Sequence, residues 1–167
     1  MAAMVEAIYV APAAGAAMVS VGEAVALAGR GLAGDRYADG AGTFSTWPKD
    51  HEFTLIEAEA IEAMNQLPGV RLSAGDARRN VTTRGIALND LVGREFMVGT
   101  VRCLGTRLCP PCEHLRRLLK ISDLLGIMSG RGGLRARLLE GGTIRVGDEI
   151  VTIDVSVGGG GPAAAVR

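Results

Sequence analysis

The sequence changes from a strand pattern to a helix pattern within FMVGTVRCL (residues 96–104) and LCPPCEHLRRLLK (residues 108–120). The first segment is rich in apolar and β-branched residues, and it predicts one strand that places Cys103 in the core. In the second segment three leucines recur at helical spacing, and the prolines before them suit the first turn of a helix. A strand that leads into a short helix therefore carries the cysteines of the chain.

The thiol of Cys112 is the candidate reactive group of this segment. It lies at or near the predicted helix N-terminus, close in sequence to His114 and to three arginines. A helix N-terminus and nearby positive charge favour the thiolate, which attacks electrophiles and binds soft metals. Any free cysteine has the alternative role of a small apolar filler. Cys109 also keeps two interpretations, a redox partner of Cys112 or a bystander.

Length and charge limit the classes of function. A chain of 167 residues fits one domain with its own core. The formal net charge is zero, so nothing global points to nucleic acid or to an acidic membrane surface. Sixteen of the 18 basic residues are arginine, the residue that binds phosphate and carboxylate with two parallel hydrogen bonds.

The sequence shows no sign of export or of a membrane span. The N-terminal region carries an acid at Glu6, has no basic segment and is interrupted by Pro12. No segment has the length and apolarity of a transmembrane helix. Three cysteines, an odd number, do not suggest a secreted disulfide scaffold. We therefore expect a cytoplasmic protein with reduced thiols.

Strand patterns outnumber helix patterns along the chain. About seven to nine short strands and two or three helices are expected, without regular alternation, which favours a β-barrel-like or sandwich domain. Residues 157–167 are Gly, Pro and Ala without pattern, so we expect one domain over residues 1–156 and a disordered tail. The main predicted strands are 5–10, 19–28, 52–56, 96–104 and the pair 135–139 with 149–154; the main predicted helices are 57–66 and 121–128. In the strand 19–28 the apolar face is expected to consist of Val21, Val25 and Leu27.

Two segments are candidates for binding an anion. The first is the glycine-rich loop 29–37, which contains Arg36 and whose backbone N–H groups can approach an anion closely. The second contains Arg78, Arg79 and Asn80, followed by two threonines, and is dense in hydrogen-bond donors. The alternatives are a surface connection for the loop and a solvated strand edge for the second segment.

The order of these motifs resembles that of the MOSC domain, named for the C-terminal domain of molybdenum cofactor sulfurases. The resemblance covers residues 5–154. The chain looks most like the short stand-alone bacterial members of the family. Single motifs are weak, but seven in order are specific. They are Gly34-Asp35-Arg36, Phe53-Thr54-Leu55-Ile56-Glu57, Arg78-Arg79-Asn80-Val81, Leu91-Val92-Gly93-Arg94-Glu95-Phe96, Pro111-Cys112 with Leu115, Gly132-Gly133, and Gly141-Gly142 followed by Gly147-Asp148.

The resemblance implies a mainly β fold similar to the β-barrel domain of pyruvate kinase. It also implies that Cys112 either carries sulfur as a persulfide or ligates molybdenum in a pterin cofactor. His114, which is close to Cys112 in sequence, is a further candidate for the catalytic site. Relatives include the mitochondrial amidoxime-reducing component and bacterial proteins that detoxify N-hydroxylated bases. On the family pattern Arg78, Arg79 and Asn80 hold the anionic part of the cofactor, and Arg36 is a weaker candidate for the same role.

The chain departs from the family pattern at two positions. Tyr37 stands where the stand-alone members commonly have histidine, and Cys109 creates a C-P-P-C motif that allows a disulfide or thiol exchange. The aminotransferase-like domain of the full sulfurases is also absent, so no pyridoxal phosphate chemistry is expected. A partner would therefore supply the sulfur or the electrons.

Four functions remain open at this point. They are reduction of N-hydroxylated small molecules, sulfur carriage through Cys112, cofactor storage or transfer without turnover, and dithiol redox chemistry through Cys109 and Cys112. The dithiol function is disfavoured because the strand-rich pattern is not the βαβ context of such motifs. A zinc site is weaker still, since there is one CxxC and no second ligand pair.

Overall fold

Eight strands form one curled sheet, as the computed structural model shows for residues 1–46 and 51–154. The strands are β1 Met4–Val10, β2 Val19–Val21, β3 Glu23–Leu27, β4 Gly31–Leu32, β5 Phe53–Glu57, β6 Val81–Arg84, β7 Glu95–Val98, β8 Val101–Leu108, β9 Leu134–Leu138, β10 Gly142–Arg145 and β11 Ile150–Thr152; the α-helices are α1 Ala58–Asn65, α2 Glu113–Leu119 and α3 Leu124–Ile127. The order of the large sheet is β11-β7-β8-β9-β5-β6-β1-β2, and β10-β3-β4 form a second, smaller sheet.

The large sheet curls until its two ends meet. Met4 in β1 forms an antiparallel bridge with Glu149, just before β11. The Ile150 N–H donates to the carbonyl of Ala3 at 2.8 Å, which continues this contact. All strand pairs in the sheet are antiparallel except β5 with β6. This architecture confirms the predicted β-barrel-like fold with few short helices.

The strands separate two hydrophobic clusters because their side chains alternate between two faces. Phe53 and Leu55 of β5 face the interior of the barrel, where they join Phe96 and Leu134. Ile56 faces outward and packs against side chains of all three helices. The outer face of β5 is therefore covered by helices, and this face also carries the candidate site. The α-helical residues of the outer cluster are Ile61, Met64, Leu115, Leu119, Leu124 and Ile127.

Several predicted elements are confirmed and others are shorter. The first strand, the strand at 52–56 and the helix at 57–66 occur within one or two residues of their expected positions. The helix expected at 121–128 is reduced to the four residues of α3. Residues 47–50 and the predicted tail 157–167 lie outside the described residues. No helix in the described part of the chain is long and apolar enough to span a bilayer.

The predicted strand 19–28 is wrong in its continuity and in its buried face. The chain forms β2 and β3 with a break at Gly22, and Val25 is 48% exposed. Ala24 and Ala26 are buried instead, because β3 pairs with β10 and places Ala24 opposite Ile144. The small alanines thus let β10 lie against the barrel core.

The predicted strand 96–104 is a hairpin. β7 and β8 pair through Val98 and Val101, with Gly99 at a φ of +57° in the turn between them. Glycine takes this conformation readily. Cys103 still faces the core, as expected. The expected pairing of 135–139 with 149–154 is wrong, since β9 pairs with β8 and β5 while β11 pairs with β7.

Candidate functional site

A cavity of about 240 Å³ lies on the outer face of the sheet, beside the helical cluster. Loop 36–44, the segment before β6, the ends of β8 and β9 and the start of α2 line it. The cavity brings together every site residue expected from the sequence. These are Arg36, Arg78, Arg79, Asn80, Cys112 and His114.

Cys112 occupies the N-cap position of α2. Its backbone is extended (φ −130°, ψ 164°), and its carbonyl accepts the N–H of Arg116 at 3.0 Å. The side chain is half-buried and makes no capping hydrogen bond. The position at the helix start confirms the prediction, but the two prolines precede the helix and do not lie in its first turn.

The arginines of α2 do not direct their charge to the thiol. Arg116 donates from Nε to the Glu113 carboxylate at 2.7 Å, and Arg117 lies 3.3 Å from the same carboxylate. The hydrogen bond from Arg116 holds the pKa of Glu113 down to about 2. Positive charge near Cys112 therefore comes from other parts of the chain that meet in the cavity.

The other two cysteines are buried, and all three thiols are free. Burial, with a smaller contribution from the Glu52 charge, raises the pKa of Cys103 to about 12. Cys109 is 1% exposed, and both of its backbone groups are hydrogen-bonded. Cys112 is thus the most accessible thiol of the described chain.

Arg36 is fixed by local contacts at the edge of the cavity. Its Nη1 lies 3.1 Å from the Asp35 carboxylate and 3.5 Å from the sulfur of Met18. The guanidinium also lies 4.6 Å from the centre of the Tyr37 ring. Asp35 in turn accepts the N–H of Ala11 at 3.0 Å. Arg36 therefore brings one pre-oriented cation whose charge is partly balanced by its neighbour.

Arg78 brings a less balanced cation. It adopts a left-handed backbone (φ 58°) at the end of a 3₁₀ turn, and its Nη1 donates to the carbonyl of Ala16 at 2.6 Å. Burial and then the nearby charge of Arg36 lower the pKa of Arg78. No carboxylate in residues 1–46 or 51–154 lies within 4 Å of it as an ion-pair partner. A bound anion would relieve the repulsion between these two guanidinium groups.

Arg79 and Asn80 use most of their hydrogen-bonding capacity inside the protein. Arg79 is 9% exposed and donates to three backbone carbonyls. The Asn80 side-chain oxygen accepts both the N–H and the hydroxyl of Thr54 at 3.2 Å, and its amide donates to Tyr9. Both residues border the cavity. Val81–Arg84, which follows them, lies between β5 and β1, so the strand-edge interpretation is wrong.

The structure adds two arginines that the sequence did not single out for the anion site. Arg107 near the end of β8 and Arg135 in β9 are direct cross-strand partners and both line the cavity. The sequence signal was the alternation of Arg135 and Arg137 with buried residues in β9. That pattern placed them on the outer face, but only the pairing with β8 brings Arg135 to the site.

Aromatic rings form the remaining side of the cavity. Tyr37 and His51 lie with ring centres 5.4 Å apart, and Phe44 meets His114 edge-on at 6.2 Å. The phenol ring of Tyr37 thus lies beside the imidazole ring of His51. The described residues that line the cavity include five arginines and no aspartate or glutamate. The cavity suits an anionic, partly flat molecule that a thiol can reach.

Known structures define the class of fold. The chain is similar to crystal structures of YuaD from Bacillus subtilis (18% identity, TM-score 0.73, 90% of this chain and 94% of that one) and YiiM from Geobacillus stearothermophilus (18%, 0.72, 93% and 77%). YiiM from Escherichia coli matches with 20% identity and a TM-score of 0.67, over 92% of this chain and 70% of that one. At these identities the similarity establishes the fold.

The family follows from the sequence itself. The model of the MOSC domain matches residues 33–151, most of the chain. The protein therefore belongs to the MOSC domain family, which confirms the resemblance noted in its motifs and associates it with molybdenum cofactor binding. Comparison with curated proteins finds no match.

Proposed function

We propose that this protein binds a molybdenum–pterin cofactor through Cys112 and reduces N-hydroxylated small molecules with electrons from a partner protein. The observation that carries the proposal is the cavity itself. It joins the half-buried thiol of Cys112 to five arginines, and none of the described residues that line it is acidic. A protein that only carries sulfur needs an accessible thiol, but it does not need this concentration of guanidinium groups.

The residues present fit such a cofactor. A thiolate is a soft ligand that suits molybdenum, and arginine forks suit the phosphate of the pterin. Arg36 and Arg78 are the residues we assign to the anionic part, because their guanidinium groups are close enough to repel each other. Arg79 and Asn80 border the same cavity, but their hydrogen bonds go to the protein. When bound, the cofactor supplies two-electron redox chemistry.

The chain's own residues orient the substrate and handle protons. Cleavage of an N–O bond by two electrons consumes two protons and releases water. His114 lies two residues after Cys112, borders the cavity and packs against Phe44. We assign its imidazole as a proton donor to the leaving oxygen. The rings of Tyr37 and His51 provide a flat surface for the substrate.

Sulfur carriage is the second candidate. Its support is that the Cys112 side chain makes no capping hydrogen bond and lies at a cavity open to a small donor. Thiolate attack on a sulfane sulfur requires only an accessible thiol and a donor protein.

Reduced thiols in all three cysteines fit a reducing compartment such as the cytoplasm.

Elemental and cofactor analysis tests the proposal. The protein and its Cys112→Ser variant are made in a host that synthesises the molybdenum cofactor, and molybdenum per chain is measured. The proposal is supported if the parent protein contains molybdenum, the Cys112→Ser variant does not, and the parent turns over a hydroxylamine-type substrate when a chemical reductant is supplied. Molybdenum without turnover indicates storage, and one extra reductant-labile sulfur on Cys112 without molybdenum indicates sulfur carriage. If the protein contains no molybdenum and Cys112 carries no extra sulfur, both candidate functions are overturned.

A further inference from the structure

We propose that Arg79 is the positioning residue of Cys112. Its guanidinium joins three chain segments behind the cavity. It thereby fixes the start of the short arm, residues 109–112, that carries the thiol. The functional meaning of this inference rests on the proposed role of Cys112. The family pattern predicts an anion-holding role for Arg79, whereas its contacts point to the protein backbone.

Each of the three segments offers one carbonyl to this side chain. Nε donates to Gly132 at 2.9 Å, Nη1 to Ala77 at 3.1 Å and Nη2 to Cys109 at 3.2 Å. These residues belong to the loop before β9, the turn before β6 and the segment between β8 and α2. One planar group thus reaches a carbonyl that is 53 residues away in the sequence.

Cys109 is held on both sides of its backbone. Its N–H donates to Gly133 at 2.7 Å, and its carbonyl accepts from Arg79. Pro110 and Pro111 follow, and each proline ring restricts its own φ to about −65° and also limits the residue before it. The connection from Cys109 to Cys112 therefore has few free torsions.

The other end of the arm is fixed as well. α2 begins directly after Cys112, and Leu115 in its first turn is 3% exposed within the helical cluster. Cys112 lies between this anchor and the anchored Cys109. A shift of the Cys109 carbonyl would pass through the two prolines to the thiol, because little in between can absorb it.

Close approach of the segments makes the three contacts possible. A Cβ atom on Gly132 would collide with the Cys109 carbonyl oxygen. Only glycine allows backbones to come this close. This close approach lets one guanidinium reach carbonyls from all three segments.

An ammonium group cannot replace this guanidinium. Arginine presents five N–H donors in a rigid plane, whereas lysine presents a compact point charge. Arg79 is 9% exposed and forms no ion pair with a carboxylate of the described residues, and its guanidinium donates to three carbonyl oxygens. If charge were its only contribution, Arg79→Lys would retain the function.

The test compares Arg79→Lys with Arg78→Lys, the same change at the adjacent position. Amide exchange is measured in segments 109–113 and 131–134. Labelling of Cys112 by iodoacetamide and by a bulky maleimide is followed by mass spectrometry on metal-free protein. In Arg79→Lys we expect exchange of the Cys109 amide to be about tenfold faster and the maleimide-to-iodoacetamide rate ratio to rise. Arg78→Lys should leave amide exchange in these segments unchanged, because Arg78 makes no contact with the Cys109 or Gly132 carbonyl.

A destabilised control separates positioning from general loss of stability. Ile144→Val weakens the barrel core without touching the three segments. Equal changes in Ile144→Val, or parental values in Arg79→Lys, would overturn the inference. If Arg79→Lys does not fold, Pro111→Ala carries the test, since freeing the arm should raise the labelling ratio; an unchanged ratio would count against the inference. None of these measurements needs molybdenum, so failure of the proposed function leaves them interpretable.

Discussion

Arg107 in β8 lies directly opposite Arg135 in β9, so two positively charged side chains share one face of the sheet at the cavity. Like charges at directly opposite cross-strand positions are destabilising. Together with Arg36, Arg78 and Arg79, these two arginines make the described lining of the cavity rich in arginine.

Inorganic phosphate should raise the melting temperature of this protein, and Arg107→Gln should reduce that rise. Removal of one charged donor should weaken phosphate stabilisation by about 1–2 kcal/mol. Differential scanning fluorimetry over a phosphate series measures the effect. Arg145→Gln is the matched control, because Arg145 pairs with Glu23 and does not line the cavity. Identical phosphate-dependent shifts in both variants would argue against an anion site.

Cys112→Ser should abolish molybdenum or sulfur retention and leave the fold intact. The hydroxyl is nearly the size of the thiol but is a poor soft-metal ligand and cannot form a persulfide. The half-buried position at the N-cap tolerates serine, so we expect the free energy of unfolding to change by less than about 1 kcal/mol. Retained metal or sulfur, measured by elemental analysis and intact mass, would remove Cys112 from its assigned role.

Gly132→Ala should destabilise the protein by about 1–3 kcal/mol, the usual range for an added methyl group in a filled space. The new methyl would collide with the Cys109 carbonyl, a backbone atom that cannot rotate away. Urea denaturation measures the change. Gly22→Ala provides the control, since a Cβ there meets no atom within 4 Å. Equal stability of the two variants would contradict the close approach.

Stability should fall in alkaline solution between about pH 9 and 12, in part through Cys103. Burial raises the pKa of this thiol to about 12, so the folded state holds its proton at pH values where the unfolded chain has lost it. The contribution is therefore fully present below pH 9 and is lost by about 1.4 kcal/mol per unit as pH rises. Cys103→Ala should show a shallower decline in urea midpoints, and parallel declines would refute the assignment.

Local sequence patterns predicted the elements whose stabilising contacts are local. Cys112 is the N-cap of α2, as the prolines and the leucine spacing indicated. Local sequence patterns could not show that Arg116 and Arg117 pair with Glu113, because side chains on one helical turn compete for the same partners. The part of the electrostatic argument that rested on Arg116 and Arg117 was therefore wrong, whereas the expected position of Cys112 at the start of a helix was right.

Strand pairing was beyond the reach of the same patterns. The hairpin at Gly99 and the break at Gly22 depend on which strands lie next to each other, and a single sequence does not state this. Val25 illustrates the point, because its apolar character favours burial while its register opposite Thr143 leaves it exposed.

The sequence by itself determined the family, the strand-rich fold and the segments that carry Cys112, Arg36, Arg78 and Asn80. Only the tertiary structure decided what these side chains contact. It brought Arg107 and Arg135 to the cavity through the register of β8 and β9, and it turned Arg79 toward three carbonyls. The physical reason is that periodicity fixes the face on which a side chain lies, whereas its partners depend on segments distant in sequence.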